Sequence, residues 1–227
     1  NFTIVGAVNF DVSPFGKRES FFDKALKTLS IFGIRFFVHY SFRFLINFFN
    51  KSKNVKNVLE DNQIPVIKLS NGVNHSKSLA TLKDYNADIM VSIAGNQIFK
   101  QPLIDMAPNG IINLHTALLP KYRGLMPSFW VLRNCEEKTG VSVFFVDEGI
   151  DSGDIIVQRE IDIGDMSQEE LIKKTKRIGI KAVIDALDCI ENKSVSLIKN
   201  DITKGSYCTF PTKADVKEFY KAGKRFF

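Results

Sequence analysis

Apolar residues fall along this chain in blocks whose period changes from strand-like to helical. Residues 2–8 (FTIVGAV) form a short β-branched run that reads as a buried strand. Ser13-Pro14-Phe15-Gly16 interrupts it. Residues 21–49 are loaded with Phe and dotted with Arg and Lys, and Phe32, Arg35, Phe36, His39, Arg43, Leu45, Ile46 and Phe49 predict one or two helices. Arg35, His39 and Arg43 interrupt the segment too often for a membrane span, which needs about 20 nearly uncharged residues. It is expected to be a core or dimer-packing helix pair. A basic aromatic face on a membrane surface and a lid over a substrate pocket are the alternatives.

A basic link at 51–56 leads to a short helix at 54–62 and an edge strand at 64–67, with Pro65 near its start. His75, in a polar loop at 70–78, has no neighbouring ligand types and reads as a solvated loop residue. Helices are predicted at 77–85, 97–106 and 128–134, and strands at 88–94 (DIMVSIA), 110–115 (GIINLH), 140–147 (GVSVFFVD) and 155–161. The clearest helix is 167–190. Ser167 and Glu170 fit a capping box, and Leu171, Thr175, Ile178, Ala182, Ala186 and Ile190 repeat at helical spacing opposite a solvated row of Lys and Arg. Strands alternating with helices predict an α/β fold, a mainly parallel sheet with helices on both faces.

The chain has 227 residues, enough to bury a core without disulfides or metal. Its 31 Lys and Arg against 25 Asp and Glu give a net charge of +6, which fits several anionic partners and selects none. Cys135, Cys189 and Cys208 are widely spaced and form no metal-ligand pattern. With no secretory signal, they are expected to be reduced thiols of a cytoplasmic protein.

The strand at 110–115 ends in Asn113-Leu114-His115. Residues two apart on a strand share a face, so this amide and imidazole stand together at the strand end. Alone they would be a capping Asn and a structural His. Next comes Leu118-Leu119-Pro120-Lys121-Tyr122-Arg123-Gly124, a basic loop bounded by Pro and Gly. Further on, Gly149-Ile150-Asp151-Ser152-Gly153-Asp154 holds a carboxylate between two glycines, in a turn joining two strands. By turn chemistry alone Asp151 would be an ordinary turn residue.

Together, Asn113-Leu-His115-Thr-Ala-Leu-Leu-Pro120-Lys-Tyr-Arg-Gly124, Thr139-Gly-Val-Ser-Val143 and Gly149-Ile-Asp151-Ser-Gly-Asp154 resemble the formyltransferase superfamily that uses formyltetrahydrofolate. Its members include glycinamide ribonucleotide transformylase, methionyl-tRNA formyltransferase and the amino-sugar N-formyltransferases. The resemblance implies a Rossmann-like catalytic domain at 1–190 and a short C-terminal extension at 191–227. It implies a catalytic trio of Asn113, His115 and Asp151, N10-formyltetrahydrofolate as formyl donor, and no metal. The folate is expected against Ile93, Gly95, Ile98, Val146, Asp147 and Ile150. Lys121, Tyr122 and Arg123 flank the trio and are expected to hold acceptor phosphates, Arg through its bidentate fork.

Three departures stand out. Ala117 replaces the family's usual Ser, which is expected to loosen the loop after His115. The family's opening strand is expected to lie before Asn1. Residues 15–49 replace a simpler loop and helix. After residue 190 the tail is too short for the tRNA-gripping barrel of methionyl-tRNA formyltransferases, and its Lys/Asp mixture is no nucleic-acid stripe. The expected acceptor is therefore a nucleotide-linked amino sugar destined for a surface polysaccharide, with no nucleic-acid partner. The alternatives are methionyl-tRNA or glycinamide ribonucleotide as acceptor, hydrolysis of formyltetrahydrofolate, and a folate- or nucleotide-binding relative without turnover.

Overall fold

A computed structural model describes residues 2–10, 20–50, 54–95 and 97–227. The breaker at 13–16 and the start of the basic link at 51–56 lie outside the described residues. The chain forms two compact units, Asn1–Ala87 with Gly95–Gln97, and Asp88–Ala94 with Ile98–Phe227.

In the first unit, α1 (Phe21–Phe32) and α2 (Ile34–Phe49) pack as a pair. Ser20 caps α1, its Oγ accepting the Asp23 N–H at 3.1 Å. Gly33 divides the helices at φ 82°, a backbone open to glycine at little cost. The core role expected for this pair is not what the structure shows. Phe32 is buried, but α2 buries none of its residues. Apolar side chains run around most of α2, more than one packing face can cover.

The helices α3 (Val55–Asp61) and α4 (Ser76–Lys83) follow. His75 caps α4, Nδ1 accepting the Lys77 N–H at 3.2 Å, so this loop residue has a structural task. Residues 2–8 do not form a buried strand. They join the unit through a single parallel bridge, Ala7 with Val66, and Phe2, Ile4 and Val5 are exposed. The Ala7 N–H donates to the Pro65 carbonyl and the Ile67 N–H to Ala7, both at 2.8 Å. Pro65 has no N–H to extend the ladder.

The second unit contains β1 (Met90–Ile93), α5 (Gln101–Ile104), β2 (Ile111–His115), β3 (Arg123–Gly124), α6 (Pro127–Arg133), β4 (Lys138–Phe145), β5 (Ile155–Asp162), α7 (Gln168–Glu191), β6 (Tyr207–Cys208) and α8 (Lys213–Lys221). The main sheet has the order β1-β2-β4-β5. The α/β architecture is as expected, but the described sheet is mixed rather than mainly parallel. β1 and β2 are parallel, whereas β2–β4 and β4–β5 are antiparallel. Only nine residues, 146–154, join β4 to β5, too few for a crossover helix. β1 alternates half-buried and exposed positions instead of being buried throughout, because it lies at the edge of the described sheet.

The long helix α7 covers one face of this sheet. The predicted capping box is present, with Ser167 Oγ accepting the Glu170 N–H at 3.3 Å and Glu170 accepting the Ser167 N–H at 2.8 Å. Ala182, Val183 and Ala186 pack on Ile112, Leu114, Val141, Val143, Ile156 and Val157. Each Val, Leu or Ile among them contributes about 1.5–3 kcal/mol when fully buried. The chain after α7 packs within the same unit. Ile198 bridges Ile155, β6 pairs with β3, and Phe219 and Phe226 stack on Phe129.

Candidate active site

Because Ile112 and Leu114 face α7, strand alternation turns Asn113 and His115 to the opposite face of β2. His115 is almost fully buried. Its Nε2–H donates to the Tyr122 carbonyl at 2.8 Å. Its Nδ1 lies 3.6 Å from Asp151 Oδ2, the distance of an ion pair when the ring is protonated. The half-buried Asn113 carboxamide makes no side-chain hydrogen bond among the described residues, so its donor and acceptor are available.

Asp151 arrives by an indirect route. Phe145 at the end of β4 lies opposite Ile112, near the start of β2. His115 is three residues further on, roughly 10 Å at strand rise. The connection at 146–154 therefore folds back toward the end of β2 to bring Asp151 to the imidazole. Asp151 sits at φ 50°, in the left-handed region. The Gly124 N–H donates to its Oδ2 at 2.8 Å, and its Oδ1 accepts no hydrogen bond among the described residues.

Neighbouring chain fixes this loop. The buried Asn200 donates through Nδ2 to the carbonyls of Asp151 and Gly153, both at 3.0 Å. Its backbone N–H donates to Asp154 Oδ1 at 3.1 Å. Gly124, at φ 93°, lies so close to the Cys208 carbonyl that a Cβ would collide with it. Ser142 ties down the loop after His115, its Oγ donating to the Ala117 carbonyl at 2.8 Å and accepting the Leu119 N–H at 3.1 Å. Gln158 Nε2 donates to the Leu119 carbonyl at 3.0 Å and to Ser142 Oγ at 2.9 Å. The loosening expected from Ala117 is thus opposed by backbone ties, and Ala117 itself is buried.

The three expected acceptor residues have different surroundings. Lys121 is exposed on the loop. Arg123 is half-buried, with Nη1 donating to the Ile150 carbonyl at 3.3 Å. Tyr122 turns inward. Its hydroxyl donates to Glu136 at 2.6 Å and accepts from Asn134 Nδ2 at 3.1 Å. Burial first, and then the Glu136 carboxylate, pushes its pKa up to about 12. The Tyr122 hydroxyl is therefore engaged within the protein, which leaves Lys121 and Arg123 as cations for an acceptor. What Tyr122 gives the site is its carbonyl on His115, while its N–H donates to Ser206 Oγ at 2.8 Å.

Of the residues expected to meet folate, Ile93 at 51% and Ile98 at 52% are exposed apolar side chains at and just beyond the end of β1. Gly95 follows β1 and falls in the first unit. Val146 and Ile150 are half-buried, and Asp147 is exposed with Oδ1 accepting the Gly149 N–H at 3.0 Å and the Ser152 hydroxyl at 2.5 Å. Exposed isoleucines offer the kind of apolar surface that suits a flat heteroaromatic ring. Among the described residues no group of His, Cys, Asp and Glu has the arrangement of a metal site. Sequence reading missed Asn200, Ser206, Ser142 and Gln158. Each acts through one to three hydrogen bonds to distant chain, which leave no periodic or spacing signal.

The sequence model for formyl transferase matches residues 49–187, more than half of the chain and all of the site residues just described except Asn200, Ser206 and Cys208. The chain belongs to the formyl transferase family. It is 36% identical over 162 residues to the methionyl-tRNA formyltransferase of Kosmotoga olearia, covering 71% of this chain and 52% of that protein. The chain thus spans about half the length of the curated relatives it matches. Among solved structures, the formyltransferase PseJ from Anoxybacillus kamchatkensis, in complex with UDP-4,6-dideoxy-4-formamido-L-AltNAc and tetrahydrofolate, matches with TM-score 0.55 and 22% identity, over 73% of this chain and 91% of that one. The phosphoribosylglycinamide formyltransferase of Bacillus halodurans matches with TM-score 0.54 and 28% identity, over 63% of this chain and 76% of that one. No described helix is long and apolar enough to cross a membrane.

Proposed function

We propose that this formyl transferase family member moves a formyl group from N10-formyltetrahydrofolate to the amine of a nucleotide-linked amino sugar. The observation that supports the chemistry is Asp151 Oδ2 at 3.6 Å from His115 Nδ1, with Asn113 two residues before His115 on the same strand. The folate supplies an activated formyl group. Within the second unit, Ile93, Ile98, Val146 and Ile150 offer apolar surface to its ring, and Asp147 adds a polar group.

In this reading, the acceptor amine attacks the formyl carbon and negative charge grows on the formyl oxygen. The unengaged Asn113 carboxamide donates to that oxygen, and a donor so placed is worth about 3–4 kcal/mol. His115 exchanges its hydrogen bond to the Tyr122 carbonyl for one to the same oxygen, with Asp151 balancing the charge of a protonated ring. Asp151 Oδ1 takes the proton lost by the amine, directly or through water. The carbon–nitrogen bond to folate breaks, and the folate nitrogen regains a proton.

The nucleotide-sugar acceptor is supported by the likeness to PseJ, whose bound product is a formylated UDP-sugar and of whose chain 91% is covered. Lys121 and Arg123 supply cationic groups for the phosphates. Methionyl-tRNA is the second reading, favoured by the sequence relatives. Incubating the purified chain with N10-formyltetrahydrofolate and, separately, UDP- and dTDP-linked amino sugars, glycinamide ribonucleotide and charged initiator tRNA separates them by mass spectrometry. A formylated sugar is expected. Formyl-methionyl-tRNA alone, formylated glycinamide ribonucleotide alone, or formate released without an amine would each replace this acceptor, and no turnover at all would favour a binding protein.

A further inference from the structure

The pair α1–α2 exposes many large apolar side chains. α2 is 16 residues long, contains six Phe, and buries none of its side chains. Phe42 is 63% exposed and Phe49 80% exposed, and Phe22 and Leu26 of α1 stand out one turn apart. On a helix of 3.6 residues per turn, Ile34, Val38, Phe42, Leu45 and Phe49 fall within an arc of about 80°. Every one of the five is exposed. Arg35, His39 and Arg43 follow each other at four-residue spacing along the adjoining arc. Arg35 is exposed, and the Arg43 guanidinium lies 6.0 Å from the Tyr40 ring centre.

In composition the pair is basic: residues 21–49 hold Lys24, Lys27, Arg35 and Arg43 against one carboxylate, Asp23. We infer that α1–α2 lies on an anionic lipid bilayer, with the Phe-rich face entering the headgroup boundary and the cations contacting lipid phosphates. An aromatic and aliphatic face flanked by Arg and Lys is the pattern of helices that lie in a membrane interface. Long cationic side chains reach back to the headgroups while their stems stay on apolar surface. α2 is too short to span the bilayer, so it lies along it. A second copy of the chain fits less well, because a two-fold contact through this face brings two identical basic rims together. An anionic surface neutralises them.

The test is sedimentation of the full chain with phosphatidylcholine vesicles, with and without about 30% phosphatidylglycerol. Binding at least about tenfold tighter to the anionic vesicles is expected, weakening as salt is raised. Arg35→Glu with Arg43→Glu should remove the preference for anionic lipid. Phe42→Ser with Phe49→Ser should weaken binding about tenfold or more, with the helical circular dichroism unchanged because both side chains are already exposed. Equal binding to both vesicle types, or binding unaffected by either pair of substitutions, would overturn the inference. So would a dimer that ignores vesicles and is split by the Phe substitutions.

Discussion

The Asn200 carboxamide holds the backbone of Asp151: its Nδ2 donates to the Asp151 carbonyl at 3.0 Å and to the Gly153 carbonyl at the same distance. A residue beyond α7 thus sets the position of a carboxylate 49 residues earlier. Asn200→Ala should leave two carbonyls without their donor and destabilise the fold by about 1–3 kcal/mol. Asn200→Asp should be worse, since it turns a carboxylate oxygen toward two carbonyl oxygens. Both should lower kcat more than they raise KM, measured with formyl donor and amine, because Lys121 and Arg123, the side chains proposed to hold the acceptor, are not substituted. A rise in KM alone would mean that Asn200 acts on binding.

Gly124 serves Asp151 from the other side, through its N–H. Its φ of 93° and the nearby Cys208 carbonyl leave no room for a side chain. Gly124→Ala should cost more than about 1 kcal/mol, read as a lower denaturant midpoint, and should reduce turnover in the fraction that folds. Wild-type stability in this variant would mean that β3 and β6 are more loosely held than the structure shows.

Tyr122 predicts a pH signature. Burial and Glu136 push its hydroxyl up from 10.0 to about 12, so the folded chain keeps the proton longer than the unfolded chain. The stability this gives is complete below pH 10 and is lost as pH rises toward 12. Denaturation midpoints should therefore fall between these values in the wild type. That component of the slope should vanish in Tyr122→Phe, and a variant with the wild-type slope would show that another group titrates there.

Much of this arrangement can be read from the sequence, for identifiable reasons. β2 and α7 are legible because their apolar periods are long and their ends are marked, α7 by Ser167 and Glu170. Asn113 and His115 are legible as a pair because strand alternation is local. Asp151 is linked to them only by family resemblance, since no period tells a loop to double back along a strand. The direction of β4 and β5 was available in the nine-residue connection, which favours a hairpin over a crossover, while the alternation of elements pointed to a parallel sheet. Asn200 and Ser206 lie in irregular chain and act through one to three hydrogen bonds each, so nothing in their neighbours marks them. The Phe content of α1–α2 is obvious, but composition does not distinguish a buried helix from one that meets another surface.

The most direct measurement is single-turnover formyl transfer by His115→Ala and Asp151→Asn beside the wild type, using N10-formyltetrahydrofolate and whichever amine the wild type formylates. Both variants should stay folded and lose roughly 10²–10⁴-fold in rate, the usual worth of a positioned acid or base. Transfer at the wild-type rate by either folded variant would contradict a trio built from Asn113, His115 and Asp151.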